Sequence, residues 1–147
     1  MNDHENSTER MIVIFSYTTK EAVADGTLVK IDQQYLDEAG IRTPVYLSRA
    51  VFEKYVKVPP EMEGEQDQDG RLWDILWMFR VYAGENRDEQ IIRFKLSCRL
   101  PDKGDWLSNE TFENDRLSRI VTLKAICSAN DIDDPQPAIF IMMPNED

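Results

Sequence analysis

Five carboxylates alternate along one short stretch, Glu61, Glu63, Glu65, Asp67 and Asp69, and Gly70 closes the run. Alternating acids suit two kinds of chemistry. Glu65-x-Asp67-x-Asp69-Gly70 imitates the first half of a calcium loop, where carboxylates at every second position wrap a hard cation and glycine allows the sharp turn. The imitation ends at the twelfth position, where a bidentate Glu is required and Leu76 stands. No metal site is therefore assigned. The second chemistry is electrostatic. In an extended chain, side chains i and i+2 fall on one side about 6.6 Å apart, on the scale of the phosphate repeat of a DNA strand. The five acids would then offer a charged row to a basic groove on a partner protein and speed its association.

Trp73, Trp77 and Arg80 follow at i, i+4 and i+7, one stripe along a helix. Leu72, Ile75, Leu76, Phe79 and Tyr82 form a second, broader face. A helix apolar nearly all round either lies in the centre of a core or covers the core with one face and a partner with the other. A small domain needs large side chains to fill its interior, so burial of both indoles is the expectation. Were they a binding surface, Arg80 would stack on one indole, and truncation would weaken association more than folding.

Other reactive groups are sparse. The only histidine, His4, sits in the polar stretch Met1–Arg10. A Ser–His–Asp or Cys–His constellation, or a His-ligated metal, therefore has no histidine in the body of the chain. Cys98 and Cys127 show no CxxC spacing and read as small hydrophobes. Asp25, Asp69 and Asp74 could converge as general acid and base, because paired carboxylates can hydrolyse without histidine. Capping and ion pairing, Arg71 with Asp74 at i, i+3 included, explain them more simply. No Gly-rich phosphate loop, Walker lysine or nucleophile elbow occurs. No catalytic residue and no cofactor is assigned.

The 147 residues fit one domain. With 28 Asp and Glu against 17 Lys and Arg, the net charge is −11. Such a chain repels phosphate, which disfavours direct binding of nucleic acid or an anionic membrane. The acidity is local: residues 61–69 and residues 125–147 each hold five acids and no base, and the rest nets −1. The longest apolar run, Ala138–Met143, has six residues, far short of the ~18 needed to span a bilayer. No basic-then-apolar leader is visible, so a cytoplasmic protein is expected.

Met1–Arg10 reads as a frayed tail and 11–147 as a single domain. Met11–Phe15 is a short β-type run. Thr18 and Glu21 have capping-box spacing for a helix that stops at Asp25-Gly26. Leu28–Ile31 favours β structure. Asp32 opens a helix Gln33–Ala39 closed by Gly40, Pro44–Leu47 is extended, and Ser48 caps a helix Arg49–Val56 that Pro59-Pro60 cuts off. Glu61–Gly70 reads as a loop, and Asp67 or Asp69 caps the apolar helix Arg71–Ala83 ended by Gly84. Ile91–Cys98 and Arg119–Cys127 alternate as half-buried strands, the second with Val121, Leu123, Ala125 and Cys127 on one side. Leu100–Asp115 reads as a loop and Asp131–Pro137 as an acidic turn, while Ala138–Met143 reads as a strand covered on both faces. The expected class is α+β: an antiparallel sheet formed mainly by the C-terminal half, with short N-terminal helices and one central apolar helix packed on it.

Phe15-Ser16-Tyr17-Thr18, Ala24-Asp25-Gly26-Thr27-Leu28-Val29, Pro44-Val45, Leu47-Ser48-Arg49-Ala50-Val51 and Gly70-Arg71-Leu72-Trp73-Asp74-Ile75-Leu76-Trp77-Met78 together resemble a small family of unknown function found on plasmids, phages and other mobile elements of bacteria. Val121-Thr122-Leu123-Lys124 and Ile139–Pro144 fit it too, so the resemblance runs from Phe15 to Pro144. It implies a genetic setting rather than a reaction, and no catalytic residue can be carried over. The expectation is a non-enzymatic acidic interaction protein of a mobile element. It would bind a protein with a basic surface, and inhibit a host defence or nucleic-acid-binding protein, through the Glu61–Asp69 acids or the Trp73, Trp77 and Arg80 stripe. The alternative is a small carboxylate- or metal-dependent enzyme.

Overall fold

Thr18, Ser48 and Asp67 cap where the sequence puts them, whereas Asp32 makes no side-chain cap bond at the start of its helix. A computed structural model describes residues 18–114 and 117–146; the expected tail and the Met11–Phe15 strand lie outside the described residues. Thr18 Oγ1 accepts the Glu21 N–H at 2.9 Å and opens α1, Thr19–Ala24. The chain turns into β1, Leu28–Lys30, and then into α2, Gln33–Ala39, which stops at Gly40 in the left-handed conformation (φ 74°) that glycine adopts without strain. After β2, Val45–Ser48, Ser48 Oγ accepts the Val51 N–H at 3.3 Å and starts α3, Arg49–Val51. The expected α-helix to Val56 instead widens at Phe52 into a π-helical turn, Phe52–Val56, closed by the Lys57 N–H on the Phe52 carbonyl. Pro60–Met62 forms a 3-10 turn with Met62 buried. The Asp67 carboxylate then accepts the Gly70 N–H at 2.5 Å and caps α4, Gln68–Glu85. This helix outruns its expected bounds at both ends, passing through Gly84.

β3 (Ile91–Arg99), β4 (Glu110–Phe112), β5 (Ser118–Asp131) and β6 (Asp134–Met142) complete one six-stranded sheet in the order β1-β2-β6-β5-β3, with β4 also on β5. β5 is the spine. β3 pairs along one of its edges, from Ile91 opposite Ile126 to Arg99 opposite Ser118. The other edge is shared: β4 takes Arg119–Val121 and β6 the stretch from Lys124 to Asp131. The fold is α+β, as the order of elements suggests, but the sheet is mixed, because β2 runs parallel to β6. A parallel pair requires a long crossover, and everything from α3 to β5 supplies it. The expected acidic turn shrinks to Ile132-Asp133, since β5 and β6 meet as a tight hairpin with Asp131 opposite Asp134. Asp131 accepts the Thr19 and Lys20 N–H groups, both at 3.1 Å, at the positive end of α1.

Leu72, Ile75, Leu76 and Phe79 of α4 pack with Ile92, Phe94, Leu96, Val121, Leu123 and Ala125 in one core. Phe79 meets Phe94 edge-on with ring centroids 5.9 Å apart. Cys98 lies in this core, and burial pushes its thiol up to about 11; Cys127 packs at the edge, and both thiols are free. On the outer sheet face Phe140 stacks on Tyr46 at 5.2 Å. Among the described residues no helix is long and apolar enough to cross a membrane.

Candidate interaction surface

An α-helix turns about 100° per residue, so Asp69, Trp73, Trp77 and Arg80 line the side of α4 away from Ile75 and Phe79. The expected burial of the indoles is overturned: Trp73 and Trp77 are each 38% exposed. They stack on one another, centroids 5.2 Å apart and planes within 8°. The sheet takes one face of α4, while α2 and the π-helical turn take its flanks. The last face is left to solvent with its aromatic stripe in place. Arg80 holds its guanidinium 5.5 Å from the Trp77 ring, the cation–π contact expected of a binding surface. Gly40 makes room for it, since an added Cβ there would stand 3.0 Å from the guanidinium. At the other end of the stripe the Tyr35 hydroxyl donates to Asp69 at 3.0 Å. Thus α2 holds the Asp69 end of the stripe, the glycine that closes α2 lies against the Arg80 end, and the indoles sit between them. Val81, one turn past Trp77, extends the exposed apolar patch.

The acids do not form the expected straight row. The 3-10 turn at Pro60–Met62 and the helix from Gln68 break the extended geometry that i, i+2 spacing requires. Glu61 pairs with Lys103 at 3.0 Å, Asp67 caps α4 and Asp69 takes the Tyr35 hydroxyl. Glu63 and Glu65 are exposed and, among the described residues, have no ion-pair partner. What the five share is position: they gather at the N-terminal end of α4, where its dipole favours negative charge, ahead of Trp73.

Asp25, Asp69 and Asp74 do not converge. Asp25 accepts the Thr27 N–H and hydroxyl at 2.9 and 2.7 Å. Asp74 turns away from Asp69 into a cavity beside Cys98, where burial raises its pKa. The expected Arg71–Asp74 pairing gives way as well. Arg71 is buried, and its guanidinium donates to Gln66 Oε1 at 2.7 Å, to the Lys57 carbonyl at 3.2 Å and to the Arg99 carbonyl. Three chain segments satisfy more of its donors than one surface carboxylate would. Among the described residues no three His, Cys, Asp or Glu side chains are placed to hold a metal ion.

The densest polar constellation was not foreseen. Glu110 sits in the expected loop, yet it forms β4 opposite Val121 and enters the core. Its carboxylate accepts the Tyr55 hydroxyl, Lys54 Nζ at 3.0 Å, the Leu107 N–H at 3.0 Å and Arg119 Nη1 at 2.9 Å. Arg119, wholly buried, also reaches Asp105 at 2.9 Å and the Pro101 carbonyl at 2.7 Å, with the Trp106 ring 4.1 Å from its guanidinium. Burial opposes the charge on Glu110, but hydrogen bonds from Tyr55, Leu107 and Lys54 outweigh it and hold the carboxyl below the usual range. Burial together with Glu110 drives the Tyr55 hydroxyl upward, so it remains a donor. The group is a closed ionic clasp that fastens the 100–110 segment to β5 and the π-helical turn. Arg119 was legible, because it shares the inward parity of Val121, Leu123 and Ala125; nothing around Glu110 signals burial. No family model matches the chain, and neither a curated protein nor a solved structure matches it.

Proposed function

We propose that this protein is a non-enzymatic interaction module that docks a basic protein surface against the outward face of α4. One observation carries the reading: two stacked indoles stand exposed on a rigid helix, bounded by Asp69 and Arg80. Trp and Arg dominate binding hot spots, and side chains already held by stacking lose little freedom on association. Glu63 and Glu65 beside this face steer a Lys- or Arg-rich partner towards it, and a partner cation can rest on an open indole face. The resemblance to proteins of mobile elements supports a setting in which the module inhibits a host defence or nucleic-acid-binding protein. The alternative, a carboxylate- or metal-dependent enzyme, draws no support from Asp25, Asp69 and Asp74, which occupy three separate environments.

The test is affinity capture from host lysate with the wild type, with Trp73→Ala/Trp77→Ala and with Glu63→Gln/Glu65→Gln, followed by titration of a Lys/Arg-rich peptide from the captured protein against tryptophan emission. A basic protein lost in the first variant, and bound with weaker salt dependence in the second, is the expected result. Equal capture by the Trp73→Ala/Trp77→Ala protein would remove this face from the function.

A further inference from the structure

The outer face of the sheet, on the far side of the molecule from α4, holds a groove whose lining inverts the charge of the chain. It encloses about 270 Å³ between β3, the start of β4 and the segment after β6. Arg93 and Lys95 form one wall, Thr122 lies on the floor, and Asn109, Thr111 and Asn145 face them. The sheet register explains the grouping: Lys95 is opposite Thr122, and Arg93 is opposite Lys124, which β-structure places on the same face.

Like charges at neighbouring cross-strand positions repel, so this cluster is costly unless something answers it. Lys124 is answered by the Glu146 carbonyl. Among the described residues Arg93 and Lys95 have no ion-pair partner, and none of the groove-lining residues is acidic, in a chain with 28 Asp and Glu. The acid within β4, Glu110, is turned into the buried clasp, and Glu113, just past β4, is engaged by the Ser97 hydroxyl at 2.6 Å. The rim is held in shape from within, because Asn109 Nδ2 donates to the Thr122 carbonyl at 3.0 Å and to the Tyr55 hydroxyl at 3.2 Å, while the Asn109 carbonyl accepts the Thr122 N–H at 2.9 Å.

We infer that this groove binds a small hydroxylated phosphate monoester, such as a sugar phosphate, with the phosphate between Arg93 and Lys95 and the hydroxyls on Asn109, Thr111, Thr122 and Asn145. Two cations on alternate residues of one strand suit a dianion, and guanidinium geometry matches phosphate oxygens. The volume exceeds what an inorganic phosphate fills, a water molecule occupying about 30 Å³. The rest of the lining is rich in hydroxyls and amides, and no aromatic ring lines it, so it suits a polyol better than a nucleobase, which needs a stacking platform. The net charge of −11 opposes a long polyanion such as nucleic acid.

The experiment is a heteronuclear NMR titration of the protein with ribose 5-phosphate and, separately, with inorganic phosphate at matched ionic strength, repeated on Arg93→Gln and Lys95→Gln. The expected result is saturable shifts confined to the amides around Arg93, Lys95, Asn109, Thr111, Thr122 and Asn145, tighter for ribose 5-phosphate than for inorganic phosphate. Each variant should weaken binding about tenfold while keeping the wild-type spectrum elsewhere. Trp73→Ala/Trp77→Ala should bind unchanged, which separates this site from the α4 face. Shifts that fail to saturate, that spread over the surface, that favour inorganic phosphate equally or that persist in both variants would overturn the assignment.

Discussion

Glu110→Gln tests whether the buried clasp holds the C-terminal half together. The substitution keeps the shape of the side chain but removes the charge that answers Arg119, whose side chain is wholly buried, and Lys54, whose side chain is 18% exposed. Lys54 can turn to water. Arg119 cannot, and its remaining carboxylate partner, Asp105, is half exposed. Arg119 Nε already lacks a hydrogen-bond partner, so the site has no spare acceptor. Removing one member of a buried pair costs ~3–5 kcal/mol. For a domain of this length that corresponds to a fall in melting temperature of roughly 10–15 °C. Replacing both partners by apolar residues, Glu110→Leu with Arg119→Met, should recover most of the loss, because a buried pair is often worth little against a well-packed apolar substitute. Melting curves by circular dichroism at neutral pH and urea titrations on the wild type, Glu110→Leu, Arg119→Met and the double variant measure the coupling, with Glu110→Gln melted beside them. A Glu110→Gln protein that melts within about 2 °C of the wild type, or a double variant whose loss is the sum of the single losses, would show that the clasp is not closed as described.

In a Trp106→Phe background, acrylamide should quench the emission of Trp73 and Trp77 efficiently. Trp73→Ala should then lower stability by only ~1–2 kcal/mol, whereas Leu76→Asp, which buries an unpaired carboxylate, should unfold the domain; strong protection from quenching would return the indoles to the core. Glu63→Gln with Glu65→Gln should leave stability within about 0.5 kcal/mol, and a larger change in the melt would mean that these acids have partners. The carboxyl of Glu110 is held below its unfolded value, so its contribution is complete above the unfolded pKa of ~4.3 and is lost as pH falls through the lower folded value. Stability measured from about pH 6 to pH 3 should therefore drop in the wild type and drop less in Glu110→Gln; parallel curves would exclude Glu110 as the source.

Much of this architecture is written locally. Thr18, Ser48 and Asp67 cap the helices they precede because a side-chain oxygen meets an amide three residues away, a relation internal to one turn. Gly40 stops α2 because only its own backbone need turn left-handed. The alternation in β3 and β5 reports which side chains face inward, Arg119 among them, since a strand has a period of two whatever it pairs with. Other features depended on contacts between residues far apart in the chain. α4 is apolar nearly all round, so its sequence marks the broader Leu72, Ile75, Leu76 and Phe79 face but does not say whether the Trp stripe is covered as well; β3 and α2 had to be in place before Trp73 and Trp77 became the outward side. Glu110 lies in a polar stretch with no periodicity and is drawn inward by Arg119, Tyr55 and Lys54, from 9 to 56 residues away. The parallel pairing of β2 with β6 and the grouping of Arg93, Lys95, Asn109 and Asn145 around one groove likewise come from sheet order. Caps and periods are properties of a few neighbouring residues; burial of a charge and the sign of a surface are sums over everything that packs around them, and these exist only once the chain has folded.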